Sequence, residues 1–226
     1  MALYPVNLKV TDRLCVVVGG GNVACRKVRN LLGCGAVVRV VSPRVDPELE
    51  KVIRQNSIEW LRREYAEGDV QGAFLVFAAT DNPGVQEQVA VEATKNRIML
   101  NCADDPAGSD FHVPAHFRRG DLLVTISTNG GSPALSKQVR LKLEKDIGPE
   151  YESVVGLLSL VREAIVSRDQ DSVTHGEIFR NLLKKNIVEL VHASNWFDVQ
   201  MLLLDELPAD VDSADLVRRF LDTYDS

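Results

Sequence analysis

The stretch Cys15-Val16-Val17-Val18-Gly19-Gly20-Gly21-Asn22-Val23-Ala24-Cys25-Arg26-Lys27 constrains the fold of this chain more than any other. A β-branched run breaks into three glycines and then into Val28, Leu31 and Leu32 at helical spacing, which predicts strand, tight turn and helix. Gly19-x-Gly21-x-x-Ala24 matches the G-x-G-x-x-G/A pattern of a dinucleotide site. Gly19 permits the sharp turn, Gly21 lets the backbone approach a pyrophosphate, and small Ala24 lets the helix lie close to its strand. Free N–H groups and the positive end of the helix dipole then face the phosphates.

Downstream the pattern repeats. Ala36 to Val41, Ile58 to Leu61, Ala73 to Ala79 and Ile98 to Cys102 read as strands. Helices are predicted from Pro47 to Asn56 and from Pro83, capped by Asn82, to about Lys95. Strands alternating with helices imply an α/β domain built on a Rossmann-like parallel sheet with right-handed crossovers. After Asp104 the pattern changes. Phe111 to Pro114 and Leu122 to Ser127 read as strands separated by Arg118-Arg119-Gly120-Asp121, and Ser132-Pro133 opens another helix. From Pro149 onward only helical apolar faces remain. Three parts are therefore expected: a nucleotide-binding domain over 1–113, a connecting segment over 114–146 and a helical region over 147–226.

A 226-residue chain that is 45% hydrophobic can bury a sizeable core, and its net charge of −6 argues against nucleic acid or an anionic membrane as partner. Cys15, Cys25, Cys34 and Cys102 include no C-x-x-C pair and fit a reducing compartment. No stretch approaches the roughly 20 apolar residues of a membrane span. Met1-Ala2-Leu3-Tyr4-Pro5 lacks the basic and apolar segments of a leader, so the cytoplasm is expected.

Nucleotide-binding units of this type place an acid on the adenosine ribose about 20 residues past the glycines. Here the second strand exits into Ser42-Pro43-Arg44 with no carboxylate. Ser42 and the backbone at Pro43 are the expected ribose contacts, and Arg44 either stacks on adenine or takes a 2′-phosphate; charge alone leans toward NADP. The residues themselves thus point to Gly19, Gly21, Ser42, Pro43 and Arg44 as cofactor contacts, and Thr80 closes its own buried strand. Asn101-Cys102-Ala103-Asp104-Asp105 leaves the last parallel strand, where such sheets hold their ligands. One of its carboxylates is expected to be solvated and the other partly buried, suited to proton transfer; ordinary turn chemistry is the alternative. A second anion cradle is expected at Thr128, Gly130 and the helix start after Ser132, flanked by Arg118, Arg119, Lys137 and Arg140. The histidines have no metal-site spacing, since Pro114 separates His112 from His116.

Taken together, these motifs resemble the precorrin-2 dehydrogenase family, which includes the amino-terminal part of siroheme synthase. The resemblance rests on Pro5 with Leu8, Val17 to Ala24 with Arg26-Lys27, Ala78-Ala79-Thr80-Asp81, and Asn101 with Asp104. It continues through Phe111 with Pro114-Ala115, and Ser127-Thr128 with Gly130, Ser132-Pro133 and Arg140. It covers about residues 3 to 146 well and the remainder loosely. It implies oxidation of precorrin-2 to sirohydrochlorin with NAD rather than NADP, ferrous iron as a further substrate in some members, and a homodimer built through the connecting segment. It also implies Asp104 as the essential acid and a dinucleotide held at Asn22, Val23, Pro43 and Arg44, with Thr80 of the matching Ala78-Ala79-Thr80-Asp81 stretch in the cofactor set. The alternative, from another class, is an NAD(H)-sensing module whose helical tail engages a partner protein.

Overall fold

In the first strands successive side chains serve opposite faces of one sheet, and each face has its own helices. β1 (Leu14–Val18), β2 (Val37–Val41), β3 (Glu59–Leu61), β4 (Leu75–Ala78) and β5 (Met99–Cys102) form a parallel sheet in the order β3-β2-β1-β4-β5. This computed structural model describes residues 3–166 and 172–224; Met1 and Ala2, the start of the stretch read as lacking a leader, lie outside them. The chain divides into two compact units, Met1–Val113 and Pro114–Ser226.

In the first unit, Cys15, Val17, Val40 and Phe77 point to one face and pack against α1 (Asn22–Leu32) through Ala24, Val28 and Leu31. α2 (Pro47–Gln55) joins them through Leu49, Val52 and Ile53. Val16, Val18, Val76, Ala78 and Leu100 point the other way and meet Val89 and Ala93 of α3 (Pro83–Asn96). Two-sided burial explains why β1 and β4 read as unbroken apolar runs. α3 begins as its sequence predicts, with Asn82 Oδ1 accepting from the Gly84 and Val85 amides and Pro83 in the first turn.

The stretch from Phe111 to Pro114, expected as a strand, is not one. The residues before it attach to β5 through other bonds: Asp110 Oδ2 accepts from the Leu100 amide at 2.9 Å, and Asn101 Nδ2 donates to the Phe111 carbonyl at 2.9 Å. Pro114 has no N–H for a ladder, and strand structure resumes only at Ala115.

The second unit opens with a hairpin of β6 (Ala115–Arg119) and β7 (Leu122–Ile126), paired antiparallel around Gly120-Asp121. Arg118 and Arg119, expected between the strands, therefore lie within β6, and Gly120 supplies the positive φ of 54° that the turn requires. α4 (Pro133–Asp146) follows, its Ser132 hydroxyl accepting from the Leu135 amide at 3.2 Å. The described remainder is helical: α5 (Glu150–Val166), α6 (Ser172–Lys184), α7 (Ile187–His192), α8 (Trp196–Glu206) and α9 (Ser213–Tyr224). Leu157, Val161, Leu182, Leu203 and Phe220 share one core, built from these helices. No helix among the described residues is long and apolar enough to cross a membrane.

Phe220 is 1% exposed, with the Trp196 ring centroid 5.4 Å away. Replacing it with alanine removes that contact and leaves a cavity, so Phe220→Ala is expected to cost about 3–5 kcal/mol of stability. A urea denaturation series on the whole chain measures this, and a loss below about 1 kcal/mol would contradict the packing described.

Candidate dinucleotide site and the carboxyl edge of the sheet

Two of the three glycines after β1 are dictated by close backbone approach. Gly19 has φ +132° and donates its amide to the Val41 carbonyl at 2.9 Å; a Cβ on it would lie 2.0 Å from the Ala79 carbonyl oxygen. A Cβ on Gly20 would lie 1.9 Å from the Arg44 carbonyl oxygen, a requirement the motif alone did not reveal. Gly21 differs. The nearest atom to its absent Cβ is Asp46 Oδ2, 3.9 Å away, so this side of the turn is open. Helix α1 starts immediately afterwards with no capping side-chain bond and no acid in its first turn, which leaves its N–H groups and dipole for an anion. Asn22 and Val23 are exposed at this end, while Ala24 is fully buried beneath. An open glycine beside an uncapped helix start fits the pyrophosphate of a dinucleotide.

The exit of β2 departs from expectation at Ser42. This residue is 7% exposed; its hydroxyl donates to the Arg44 carbonyl at 2.6 Å, and its own carbonyl accepts from Trp60 Nε1 at 2.9 Å. Its groups thus hold the loop together instead of facing a ribose. Pro43 and Arg44 are exposed. The loop then folds back: the Asp46 amide donates to the Gly20 carbonyl at 2.8 Å, bringing a carboxylate to the glycine turn. Sequence spacing missed this acid because it lies beyond the strand end, and only the return of the loop places it.

Strand register sets the other half of the site. Val18 pairs with Ala78 and Ala78 with Cys102, and the Ala103 amide donates to the Ala78 carbonyl at 3.0 Å. Gly19, Ala79 and Ala103 therefore leave three adjacent strands side by side, with Thr80 and Asp104 one residue further along. Asp105 Oδ1 accepts from the Ala107 and Gly108 amides at 3.1 and 3.0 Å and so belongs to its turn. Among the described residues the Asp104 carboxylate has no hydrogen-bond or ion-pair partner. Both aspartates are exposed, which corrects the expectation that one would be partly buried. Backbone spacing explains it: after the buried Cys102 the chain stays at the surface until Ser109, whose hydroxyl accepts from the Cys102 amide and donates to the Asp105 carbonyl.

Lys27, quoted within the opening motif but given no task there, reaches over the Phe77 ring and donates to Asn101 Oδ1 at 2.9 Å. Asn101 in turn holds the Phe111 carbonyl, so α1, β5 and the chain leaving β5 are tied by one buried amide. Burial, and then the charge of Arg26, lowers the Lys27 pKa to about 8.

Within the second unit the expected anion cradle is largely occupied by its own loop. The Thr128 carbonyl accepts from Gly131 at 2.9 Å, Thr128 Oγ1 accepts from the Ser132 amide at 3.0 Å, and Ser127 Oγ accepts from Asn129. Gly130, with φ +82°, stays exposed. Arg119 donates to the Ile147 and Glu144 carbonyls, and Arg140 pairs with Glu144 at 2.5 Å. Arg118 and Lys137 are exposed. The described residues contain no group of three or more His, Cys, Asp or Glu placed to hold a metal ion.

A family model described as "Putative NAD(P)-binding" matches residues 6–115. Siroheme synthase from Pseudomonas paraeruginosa is 35% identical over 207 residues, covering 92% of this chain and 44% of that protein. Siroheme synthase 3 from Aeromonas hydrophila is 38% identical over 168 residues, covering 74% and 36% respectively. Among solved structures, "SirC, precorrin-2 dehydrogenase" superposes with a TM-score of 0.69 at 25% identity, covering 98% of this chain and all of that one. The chain belongs to the precorrin-2 dehydrogenase and siroheme synthase family. It spans less than half the length of the curated relatives named here. The alignment with the Pseudomonas paraeruginosa relative, over 207 residues, extends beyond the family model and into the helical unit, which the sequence motifs alone had covered only loosely.

Because Lys27 holds its proton less tightly in the fold than its ordinary value of 10.5, the unfolded chain binds more protons between about pH 8 and 10.5. Its contribution to stability therefore rises with pH across that window, and the cost of its buried charge is fully present below pH 8. Lys27→Met is expected to remove this rise. Denaturation midpoints of both proteins from pH 7 to 10.5 measure the difference, and parallel profiles would contradict the assigned environment.

Proposed function

We propose that this chain oxidises precorrin-2 to sirohydrochlorin with NAD, within siroheme biosynthesis. The observation that carries the proposal is the alignment of the Gly19 turn, Ala79 and Ala103-Asp104 on three adjacent strand ends. That edge supplies an anion cradle for a dinucleotide and, two residues past the end of β5, a carboxylate with no partner among the described residues. Family membership supplies the substrate class.

NAD held at the Gly19–Gly21 turn would supply the hydride acceptor, and the accompanying proton is left to the protein's own groups. Asp104 takes that proton on its carboxylate, and its exposure lets the proton pass to water. Asp105 cannot serve equally, because its Oδ1 is committed to two turn amides. The eight carboxylates of precorrin-2 require positive partners on an acidic protein. Arg118, Arg119, Lys137 and Arg140 are the candidate cations, alongside Thr128 and Gly130; Arg118 and Lys137 are exposed, while Arg119 bonds the Glu144 carbonyl and Arg140 pairs with Glu144.

The same proposal includes a homodimer formed through the hairpin and α4. Of α4's 14 residues only Ser136 is buried, Leu135 and Leu141 are 49% and 44% exposed, and β7 buries none of its residues. These apolar surfaces are what a second copy would cover. A cytoplasmic location is part of the proposal too, supported by four free cysteines, with burial raising the Cys15 thiol to about 11.

Anaerobic incubation with precorrin-2 and NAD tests the activity: sirohydrochlorin and NADH should appear together, whereas a nucleotide sensor would bind NAD and form neither. Adding sirohydrochlorin and ferrous iron without nucleotide then decides whether iron is a further substrate. Asp104→Asn should lower dehydrogenation by at least about 100-fold, the low end of general acid–base contributions. Asp105→Asn should cost less than about tenfold, or roughly 1.4 kcal/mol. A reversed ranking would move the role to Asp105.

A further inference from the structure

The loop after β2 leaves one carboxylate without a structural task. Asp46 sits at the N-cap of α2, yet its side chain makes no capping bond, and α2 already carries Glu48 and Glu50 in its first turn. Among the described residues its carboxylate has neither a hydrogen bond nor a salt bridge. Its backbone is nevertheless fixed, since the Asp46 amide donates to the Gly20 carbonyl at 2.8 Å. That bond holds Oδ2 3.9 Å from the point where a Gly21 side chain would begin, on the open side of the turn. The group first expected to meet the adenosine ribose, the Ser42 hydroxyl, is buried and donates to the Arg44 carbonyl instead.

We infer that Asp46 accepts the hydroxyls of the adenosine ribose and thereby selects a dinucleotide without a 2′-phosphate. Resting on the dinucleotide site proposed above, the inference adds a specificity residue to it. Two features carry it. The carboxylate is half-buried beside the glycine turn, where an acceptor for a diol is needed, and no other side chain at the β2 exit offers one. A fixed negative charge there also repels a phosphate group, and unpaired partners at a polar site discriminate strongly against the wrong ligand. Asp46 thus opposes Arg44, the exposed cation whose charge alone would favour the phosphorylated form. The acid arrives through a loop return and not at the strand end, so the usual spacing is broken while its chemistry is kept.

Calorimetric titration of the full chain with ADP-ribose and with 2′-phospho-ADP-ribose tests this without turnover. The unmodified protein should bind ADP-ribose at least about tenfold more tightly, equivalent to about 1.4 kcal/mol. Asp46→Asn keeps the size but removes the charge, and should narrow that preference by about tenfold or more, weakening ADP-ribose and strengthening the phosphorylated ligand. An unchanged preference, or an equal loss of both ligands, would overturn the assignment. Should circular dichroism show that Asp46→Asn disturbs the fold, Asp46→Ser provides the same comparison with the same expected direction. If the unmodified protein binds neither ligand, the dinucleotide reading fails first; if it binds both and Asp46→Asn changes nothing, only the specificity assignment fails.

Discussion

The structure depends on two backbone approaches around the turn after β1. The Ala79 carbonyl stands where a side chain on Gly19 would be, and the Arg44 carbonyl stands where one on Gly20 would be. These contacts draw the chain segments leaving β4 and β2 against the turn, one on each side. Gly21 has no such neighbour, so the glycine run has two purposes: its first two members permit the fold, and its third keeps a space open. Because the helix that follows has neither cap nor first-turn acid, its free N–H groups and dipole face the open space, with the Asp46 carboxylate at its edge.

The parallel sheet then determines where chemistry happens. Helices cover both faces, so only the strand ends are accessible to a ligand of any size. At the carboxyl edge, the register of β1, β4 and β5 brings successive loops into line, and two neighbouring aspartates acquire different tasks. Asp105 is bound to the amides of its own turn, while Asp104 projects without a partner among the described residues. This difference comes from local hydrogen bonding and not from burial, as both are exposed. The Lys27–Asn101–Phe111 chain of contacts steadies the strand that presents them.

Much of the first unit was legible in the sequence because its constraints are local. The β-branched runs, the glycine turn, and Asn82-Pro83 at a helix start all act within a few residues. What was not legible depends on chain segments meeting. Ser42 looked available because its commitment to the Arg44 carbonyl and the burial of its loop arise only on folding. Asp46 was overlooked because its position relative to Gly21 depends on a loop returning to the turn. The same holds for Arg119, whose charge looked free in sequence but is spent on carbonyls at the end of α4. Phe111 to Pro114 has the composition of a strand, but bonds through the side chains of Asp110 and Asn101 tie this segment to β5 in place of a ladder.

The proposed dinucleotide site requires that the space at Gly21 exist for a phosphate and not for packing. Gly21→Val separates the two, since the φ of −88° is ordinary for any residue and, adjoining backbone aside, the nearest atom to the new Cβ is Asp46 Oδ2 at 3.9 Å. Titration of NAD into this variant, alongside its thermal midpoint, is the most direct measurement. A space kept for the pyrophosphate predicts a midpoint within about 3 °C of the unmodified protein, less than about 1 kcal/mol for a chain of this size. It also predicts NAD affinity reduced by at least about tenfold. Undiminished NAD binding in a stably folded Gly21→Val protein would contradict it.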